Sequence, residues 1–269
     1  MVNILQLLRI IGKNRELVQQ FVKREVITKY KGSYLGMMWS IITPLIMLSI
    51  YTYVFGYIFK SKWDFAVSST KQEFAITVFC GMIIFAIFSE TITKSPSIIT
   101  NNPNYVKKVV FPLEILPLSL LGGAVVNFLI GLVILLAGKV IFIGPLNWEF
   151  FYIPVILLPL LIVSLALSYI FASLGVYLRD LEHTIGITVQ ALYLLTPIFY
   201  PISAIPTQIR SLFLFNPIAG IVDNMRKIII WGMKPDMALW GYQIIGSIIL
   251  LQIGYWWFMK LRKGFADVI

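Results

Sequence analysis

Residues that could carry out covalent or metal chemistry are sparse in this sequence. It has one cysteine, Cys80, one histidine, His183, and 12 acidic residues scattered along the chain. A lone cysteine forms neither an intrachain disulfide nor a cysteine-based metal site, so we expect Cys80 to be a small buried apolar residue. His183 is expected to be solvated. Without a Gly-x-x-x-x-Gly-Lys-Ser/Thr loop or a hydrolase motif, the chain is predicted neither to bind ATP through such a loop nor to be an enzyme.

Cations are the chemically active side chains that the sequence holds in number. Lys and Arg total 22, which gives a net charge of +10. In a soluble protein this excess would indicate nucleic-acid binding, but 59% of the 269 residues are hydrophobic and only 13% are charged. The mean hydropathy is +0.87. This composition excludes a disordered chain, a cytosolic enzyme and a secreted disulfide scaffold, and it predicts a multi-pass membrane protein whose cations lie beside anionic lipids.

Six segments are apolar over about the 20 residues that a helix needs to cross a bilayer. They are residues 35–59, 74–93, 113–143, 150–177, 185–204 and 239–259. Prolines inside the fourth and fifth segments are expected to kink them. The predicted fold is an all-α membrane protein with six transmembrane helices, forming one domain over residues 1–269.

The distribution of Lys and Arg between the predicted spans gives the orientation. With the N-terminus inside the cell, 14 of the 22 cations lie in cytoplasmic segments, 7 lie outside, and Lys139 lies within a span. Because cytoplasmic loops of membrane proteins are enriched in Lys and Arg, both termini are predicted to be cytoplasmic.

Residues 1–34 are predicted to form an amphipathic helix on the cytoplasmic membrane surface. Apolar residues recur at helical spacing there, while Lys23, Arg24 and Lys29 lie on other faces. The apolar residues are Leu17, Val18, Phe21, Val22 and Val26. Periodicity alone does not distinguish a membrane anchor from a platform for a cytoplasmic partner.

Residues 205–238 depart from the spanning pattern. Asn216 followed by Pro217 is a helix-start signal, and Gly232 is a helix-stop signal. The helix between them would have about 15 residues, too few to cross a membrane. We therefore predict an amphipathic element at the external interface before the last span. Its polar face would consist of Asp223, Asn224, Arg226 and Lys227.

Four runs, in register along nearly the whole chain, carry a resemblance to a known family. They are Lys29–Leu45 (KYKGSYLGMMWSIITPL), Tyr51–Gly56 (YTYVFG), Val106–Pro117 (VKKVVFPLEILP) and Tyr177–Leu181 (YLRDL). They resemble segments of the polysaccharide-exporting ABC-2 permeases, the membrane subunits for export of O-antigen, capsule, S-layer glycan and teichoic acid. The first and third runs are specific to that family, and the other two are modest matches.

The resemblance implies a homodimer of six-span subunits in the bacterial plasma (inner) membrane, associated with two copies of a cytoplasmic ABC ATPase. ATP and Mg²⁺ would be bound by that partner, and this chain would hold no cofactor or metal. The substrate implied is an undecaprenyl-pyrophosphate-linked glycan that passes through a continuous channel. Residues 1–34 would be the family's interface helix, and residues 205–238 its external gate helices. The gate residues would be Asn216, Pro217, Asp223 and Arg226.

Such a substrate makes three groups of residues candidates for function. Cations near the cytoplasmic interface could bind the pyrophosphate, although the positive-inside rule also explains their position. They are Arg24, Lys29, Lys31 and Arg179. Aromatic rings could let a glycan slide through a channel, although interfacial aromatic belts explain those near span ends. They are Tyr51, Tyr53, Tyr57, Tyr193 and Phe199.

The third group lies in the polar, basic loop 101–111, which is the best candidate for a coupling helix that contacts the ATPase. Its predicted contacts are Tyr105, Val106, Lys107 and Lys108. An ordinary solvated loop is the alternative for this segment. For the whole chain the alternatives are an ABC-2 permease for teichoic acid, a drug or a small lipid, a membrane enzyme of envelope lipid synthesis, and a non-transporting scaffold.

Overall fold

The computed structural model of the chain describes residues 4–54, 71–107, 111–206, 208 and 216–269. Most residues of those ranges are helical, and none of them forms a β-strand. The helices are α1 (Ile4–Lys13), α2 (Arg15–Tyr30), α3 (Trp39–Tyr51), α4 (Lys71–Lys94), α5 (Pro103–Val106), α6 (Ile115–Phe142), α7 (Ile153–Gly175), α8 (Leu181–Leu195), α9 (Pro217–Arg226), α10 (Met237–Leu261) and α11 (Phe265–Val268).

Four helices of the described ranges are long and apolar enough to cross a membrane, and they confirm four of the six predicted spans. They correspond to α4, α6, α7 and α10. Helix α6 has 28 residues, which amounts to about 42 Å at 1.5 Å per residue. It is therefore longer than the hydrocarbon core of a bilayer, which is about 30 Å thick.

The other two predicted spans have only shorter helices within the described residues. The first, predicted at residues 35–59, has a 3₁₀ turn over Gly36–Met38 and an apolar helix over Trp39–Val54, and residues 55–59 lie outside the described residues. The fifth, α8, ends at Leu195, so its predicted end at residue 204 is wrong. Thr196 has an extended backbone because the ring of Pro197 disfavours a helical conformation in the residue before it. Pro197 and Pro201 therefore follow a helix end rather than kink a continuous helix.

Helix α4 occupies the centre of the bundle. It is the most buried of the four candidate spans, and it packs against α3, α6, α7, α8 and α9. Cys80 lies on α4 and is fully buried, as predicted for a small apolar residue. Contacts of α4 with five other helices make it the common support for elements at both ends of the bundle.

The N-terminal segment folds onto the bundle as two helices rather than the predicted single one, with a break at Asn14. The predicted apolar stripe of α2 faces the bundle, because Phe21 is buried and the other stripe residues are half-buried. Helix α2 packs against α6, where a Cβ atom at Gly122 would overlap Val22. Helix α1 is tied to α10 by a hydrogen bond of 3.1 Å from the Ile4 backbone N–H to the Gln252 side chain.

Helices α7 and α10 form the most extensive helix pair of the bundle. They approach closely where Gly254 of α10 lies over the backbone of Ala166 of α7, so that a Cβ atom at residue 254 would overlap the Ala166 carbonyl oxygen. Small residues at such crossings let the backbones of membrane helices pack tightly.

We predict that Gly254→Ala lowers the free energy of unfolding by about 1–3 kcal/mol, because the added methyl group meets backbone that must shift. Thermal unfolding of the purified protein in detergent would measure this change. Gly246→Ala is the matched control on the same helix, since a Cβ atom there meets no atom within 4 Å. Equal melting temperatures for the two variants would contradict the proposed crossing.

Candidate functional site

An ion pair between Lys29 and Glu90 joins helices at one end of the bundle. Lys29 lies in the last turn of α2, and its Nζ is 2.8 Å from Oε1 of Glu90 on α4. The second oxygen of Glu90 accepts a hydrogen bond of 2.7 Å from Nδ2 of Asn127 on α6. Sequence reasoning selected Lys29 but not its two partners, because no local pattern indicates that α2 lies beside α4 and α6.

A cavity of about 500 Å³ opens beside this ion pair. Residues of α3, α4, α6 and α8 line it, and Lys29, Glu90 and Asn127 contribute polar groups to its wall. Much of the remaining wall is apolar, including Met47 of α3 and Phe79 of α4. A volume of this size falls within the range of small-molecule sites.

Four aromatic rings pack together between α3, α4 and the end of α8. The ring centres of Tyr51 and Phe199 are 4.6 Å apart, and those of Phe85 and Tyr193 are 5.0 Å apart. Tyr193 also lies 5.3 Å from Phe199 and 6.3 Å from Tyr51. Phe85 and Tyr193 belong to the cavity wall. The structure thus brings three of the predicted channel aromatics together in one cluster.

The other two predicted channel aromatics are placed differently. Tyr53 is 61% exposed, and Tyr57 lies outside the described residues. Phe85 is the cluster member that sequence reasoning missed, because α4 carries several phenylalanines and their spacing does not indicate which one meets Tyr193.

The predicted coupling segment (residues 101–111) contacts α2 through the Arg24 guanidinium and through the packing of three aromatic rings. The guanidinium of Arg24 donates to the Asn102 side chain at 3.1 Å and to the Tyr105 hydroxyl at 3.4 Å. It also lies 4.5 Å from the ring centre of Phe21. The Tyr105 ring stacks on Phe111 at 4.5 Å and meets Phe21 at 5.3 Å. Arg24 therefore contacts the coupling segment in this structure.

Helix α5 carries two of the four predicted coupling contacts, Tyr105 and Val106. Tyr105 and Val106 are half-buried and pack against the core, whereas Lys107, directly after the helix, is exposed. Lys108 lies outside the described residues. Asn104 is exposed as well, so the polar residues of this segment are those available to a partner.

The far end of the coupling segment is fixed by Arg262, a residue that sequence reasoning missed. Its guanidinium donates to Oε1 of Glu114 at 2.7 Å and to the Phe111 carbonyl at 3.2 Å. The hydroxyl of Tyr177 donates to the Leu261 carbonyl at 3.1 Å and so holds the C-terminal end of α10, directly before Arg262. The segment is thus held by α2 on one side and by the end of α10 on the other.

The remaining predicted cations are exposed. Arg179 lines a polar cavity of about 330 Å³ beside the coupling segment. Glu182, in the same cavity, accepts a hydrogen bond of 3.3 Å from Ser97. Lys31 directly follows α2. His183 is exposed, as predicted, and lies in the first turn of α8 rather than in a loop.

The helix predicted between Asn216 and Gly232 is present with those boundaries. The Asn216 side chain caps it by accepting a hydrogen bond of 3.0 Å from the Ile218 backbone N–H. Helix α9 continues as a π-helical turn over Lys227–Trp231, and Gly232 ends it with a left-handed φ of 61°. Residue 207 and residues 209–215, which belong to the predicted gate segment 205–238, lie outside the described residues.

The predicted polar face of this helix is wrong for two residues. Asn224 and Arg226 are buried, because the helix packs against α4 and α7 instead of lying with one side in solvent. The Asn224 side chain accepts from the Asp236 backbone N–H at 2.8 Å and so ties α9 to the start of α10. Asp223 and Lys227 remain partly exposed and form an ion pair of 2.8 Å.

Arg226 donates to three backbone carbonyls from two other elements. Its Nε bonds the Thr77 carbonyl of α4 at 3.1 Å, and its two terminal nitrogens bond the carbonyls of Pro197 and Ile198 at 2.7 Å. The latter two carbonyls lie in the non-helical segment that follows α8, where a buried carbonyl needs a donor from another element. Burial lowers the pKa of Arg226 to about 10, so the group remains charged at neutral pH.

Comparison with known proteins identifies the family. Residues 16–230 match the model of the ABC-2 type transporter family. The chain belongs to that family. It is 27% identical to the O-antigen export system permease protein RfbA of Myxococcus xanthus over 98% of this chain and 100% of the relative. It is 25% identical to the O-antigen export system permease protein RfbA of Klebsiella pneumoniae, over 94% of this chain and 95% of the relative. It is 27% identical to the polysialic acid transport protein KpsM of Escherichia coli, over 88% of this chain and 90% of the relative.

The matched range contains most of the site described above and excludes the helices α1, α10 and α11. In this ABC-2 transporter chain, residues 16–230 contain Lys29, the cavity, the coupling segment and Arg226. Helix α10 and Arg262 lie beyond the matched range, although the M. xanthus relative aligns with this chain over 267 residues. The apolar helices and the family together make the protein a multi-pass membrane protein.

We predict that Arg226→Met destabilises this ABC-2 transporter chain by about 3 kcal/mol or more, because three buried carbonyls lose a charged donor. Thermal unfolding in detergent would measure the loss. Lys227→Met is the matched control, since it removes a neighbouring cation from a partly exposed ion pair worth about 1 kcal/mol or less. Similar melting temperatures for the two variants would show that Arg226 does not hold these elements together.

Proposed function

We propose that this chain is the transmembrane subunit of an ABC transporter that exports an undecaprenyl-pyrophosphate-linked polysaccharide, resembling O-antigen, across the bacterial plasma (inner) membrane. The observation that carries the proposal is the end-to-end similarity to an O-antigen export permease, which covers 98% of this chain and 100% of the relative. The similarity to a polysialic acid transport protein supports polysaccharide as the substrate class. Neither relative's name refers to a drug or a small lipid.

In this proposal the subunit has six spans. The apolar helix Trp39–Val54 and the 15-residue helix α8 would join the four longer helices. The apolar sequence that follows each of them supports this count. The end of the bundle that carries α2 and the coupling segment would face the cytoplasm with both termini, since most of the Lys and Arg residues cluster there. Residues 205–238 would then form the external gate.

The glycan lipid would use the cavity and the aromatic cluster. Lys29 stands at the polar side of the cavity and is the cation best placed for the pyrophosphate, with Lys31 nearby in sequence. Arg24 and Arg179 lie against or beside the coupling segment, which favours a role in coupling for these two cations. The rings of Tyr51, Tyr193 and Phe199 would offer sugars flat apolar surfaces.

ATP hydrolysis would take place on a separate cytoplasmic subunit, with two copies of that ATPase and its bound Mg²⁺ serving a homodimer of this chain. Force from the ATPase must pass through a stiff contact. The coupling segment is suited to this task because Arg24 and Arg262 hold it from two sides while Asn104 and Lys107 stay exposed.

We predict that Tyr105→Ala lowers export about tenfold while ATP hydrolysis by the complex continues, because the segment loses its packing on Phe21 and Phe111 and about 1.4 kcal/mol of coupling. Glycan at the cell surface and ATPase activity of the purified complex would be measured in parallel. Tyr242→Ala is the matched control, since Tyr242 is 77% exposed on α10. Unchanged export by Tyr105→Ala would remove the segment from the coupling path.

The function itself is tested by reconstitution. We predict that the chain alone hydrolyses no ATP and that it purifies with an ABC ATPase from the same genome as a complex of two copies each. In lipid vesicles, the ATPase activity of that complex should rise with an undecaprenyl-pyrophosphate-linked oligosaccharide. A complex in which the ATPase carries an inactivating substitution is the control. Stimulation by a drug-like amphiphile and not by the glycan lipid would overturn the proposal.

A further inference from the structure

Glu90 holds its charge where an anionic ligand of the cavity would bind. It lies four residues before the end of α4, and its carboxylate is engaged on both oxygens, by Lys29 at 2.8 Å and by Asn127 at 2.7 Å. The Lys29 and Glu90 side chains keep 31% and 27% of their surface exposed. A ligand can therefore reach the pair without unfolding any helix.

The cavity beside the pair has the chemistry of an amphiphile site. Its polar groups include Lys29, Glu90 and Asn127, and its wall continues along apolar side chains such as Met47 and Met82. An apolar chain fits against such a wall, and an anionic head group fits against the lysine. A diphosphate carries more negative charge than one carboxylate and offers several acceptor oxygens, so it competes effectively for a single ammonium group.

We propose that Glu90 is a built-in counter-anion of Lys29 and that the diphosphate group of a polyprenyl lipid displaces it. This inference rests on the proposed function, because it names the group that the proposed site exchanges. In the empty site Glu90 neutralises Lys29. In the occupied site the diphosphate binds Lys29, and Glu90 keeps the hydrogen bond from Asn127, which holds the carboxylate in place.

The exchange has a consequence for α2. The Lys29–Glu90 pair ties the end of α2 to α4, and Arg24 on the same helix holds the coupling segment through Asn102 and Tyr105. Loss of the ion pair upon lipid binding releases the end of α2 from α4. Lipid binding in the cavity thus changes the contacts of α2, the helix that positions the segment proposed to contact the ATPase.

The electrostatic surroundings supply a stringent control. Glu25 of α2 and Lys94 of α4 border the same region, next to Lys29 and Glu90. Glu25 pairs with Arg24 at 3.7 Å. Glu25→Gln therefore removes one negative charge from the same region while the Lys29–Glu90 ion pair stays intact. This control separates a general change in electrostatic potential from the loss of Glu90 as a competitor for Lys29.

The experiment measures binding of farnesyl diphosphate to the purified permease–ATPase complex in nanodiscs by titration calorimetry. Removing the competing carboxylate with Glu90→Gln should tighten binding about fivefold, in proportion to the strength of a half-exposed ion pair. Glu25→Gln should stay within about twofold of the wild type, because screening weakens interactions beyond the first contact. The gain in Glu90→Gln should shrink as salt is added.

A double-mutant cycle keeps the result specific to the pair. Lys29→Gln should weaken binding, and Glu90→Gln should give no gain in the Lys29→Gln background, since the competition needs both residues. Farnesol should bind more weakly than farnesyl diphosphate, and so should inorganic pyrophosphate. Equal binding of pyrophosphate and farnesyl diphosphate would show that a free diphosphate is the ligand and would overturn the lipid assignment.

Two different failures can be told apart. If the wild-type complex binds no farnesyl diphosphate, or binds it equally well after Lys29→Gln, the lipid-diphosphate substrate of the proposed function fails at this site. If binding depends on Lys29 but Glu90→Gln does not tighten it, or Glu25→Gln tightens it equally, the counter-anion role of Glu90 is overturned and the proposed function stands. Melting temperatures of all variants establish that each one is folded.

Discussion

The end of α8 inside the bundle imposes the constraint on which the rest of the structure depends. Beyond Leu195 the chain continues through the bundle as a non-helical segment, and its buried backbone carbonyls need donors from elsewhere. Arg226 donates to the carbonyls of Pro197 and Ile198, and its third bond, to Thr77, fixes the same guanidinium to α4. A single side chain thereby connects the segment that follows α8, the central helix α4 and the short helix α9.

Helix α4 connects the region around Arg226 to the other end of the bundle. Thr77, which accepts from Arg226, and Glu90, which pairs with Lys29, lie on the same helix. They are 13 residues apart in the sequence, which corresponds to about 20 Å of helix. Because α4 is packed by five other helices, it serves as a rigid rod between the proposed external gate and the proposed lipid-binding cation.

Helix α2 connects the cavity with the predicted coupling segment. Its apolar stripe packs onto the bundle, while Arg24 contacts the predicted coupling segment and Lys29 faces the cavity. The close approach at Gly122 brings α2 near enough to α6 for Asn127 to take part in the same polar cluster. Helix α2 therefore contacts both the proposed substrate site and the segment that is proposed to contact the ATPase.

The sequence by itself determined the features that arise from local physics. Length and hydropathy predicted six spans, and four of them are confirmed as long apolar helices. Asn216 and Gly232 predicted both ends of the helix between them, and the stripe from Leu17 to Val26 is the face of α2 that packs on the bundle. Periodicity, capping and backbone preferences act within a few residues of the chain, so they can be recognised without the fold.

Only the tertiary structure decided which groups the charged side chains contact. Lys29 and Glu90 are 61 residues apart, and Arg226 and Thr77 are 149 residues apart. A polar residue on a short amphipathic helix is expected to face solvent, and Arg226 is buried instead, because the carbonyls it satisfies belong to distant segments. The need to pair every polar group inside the bundle is set by the packing of the helices, and no local pattern contains it.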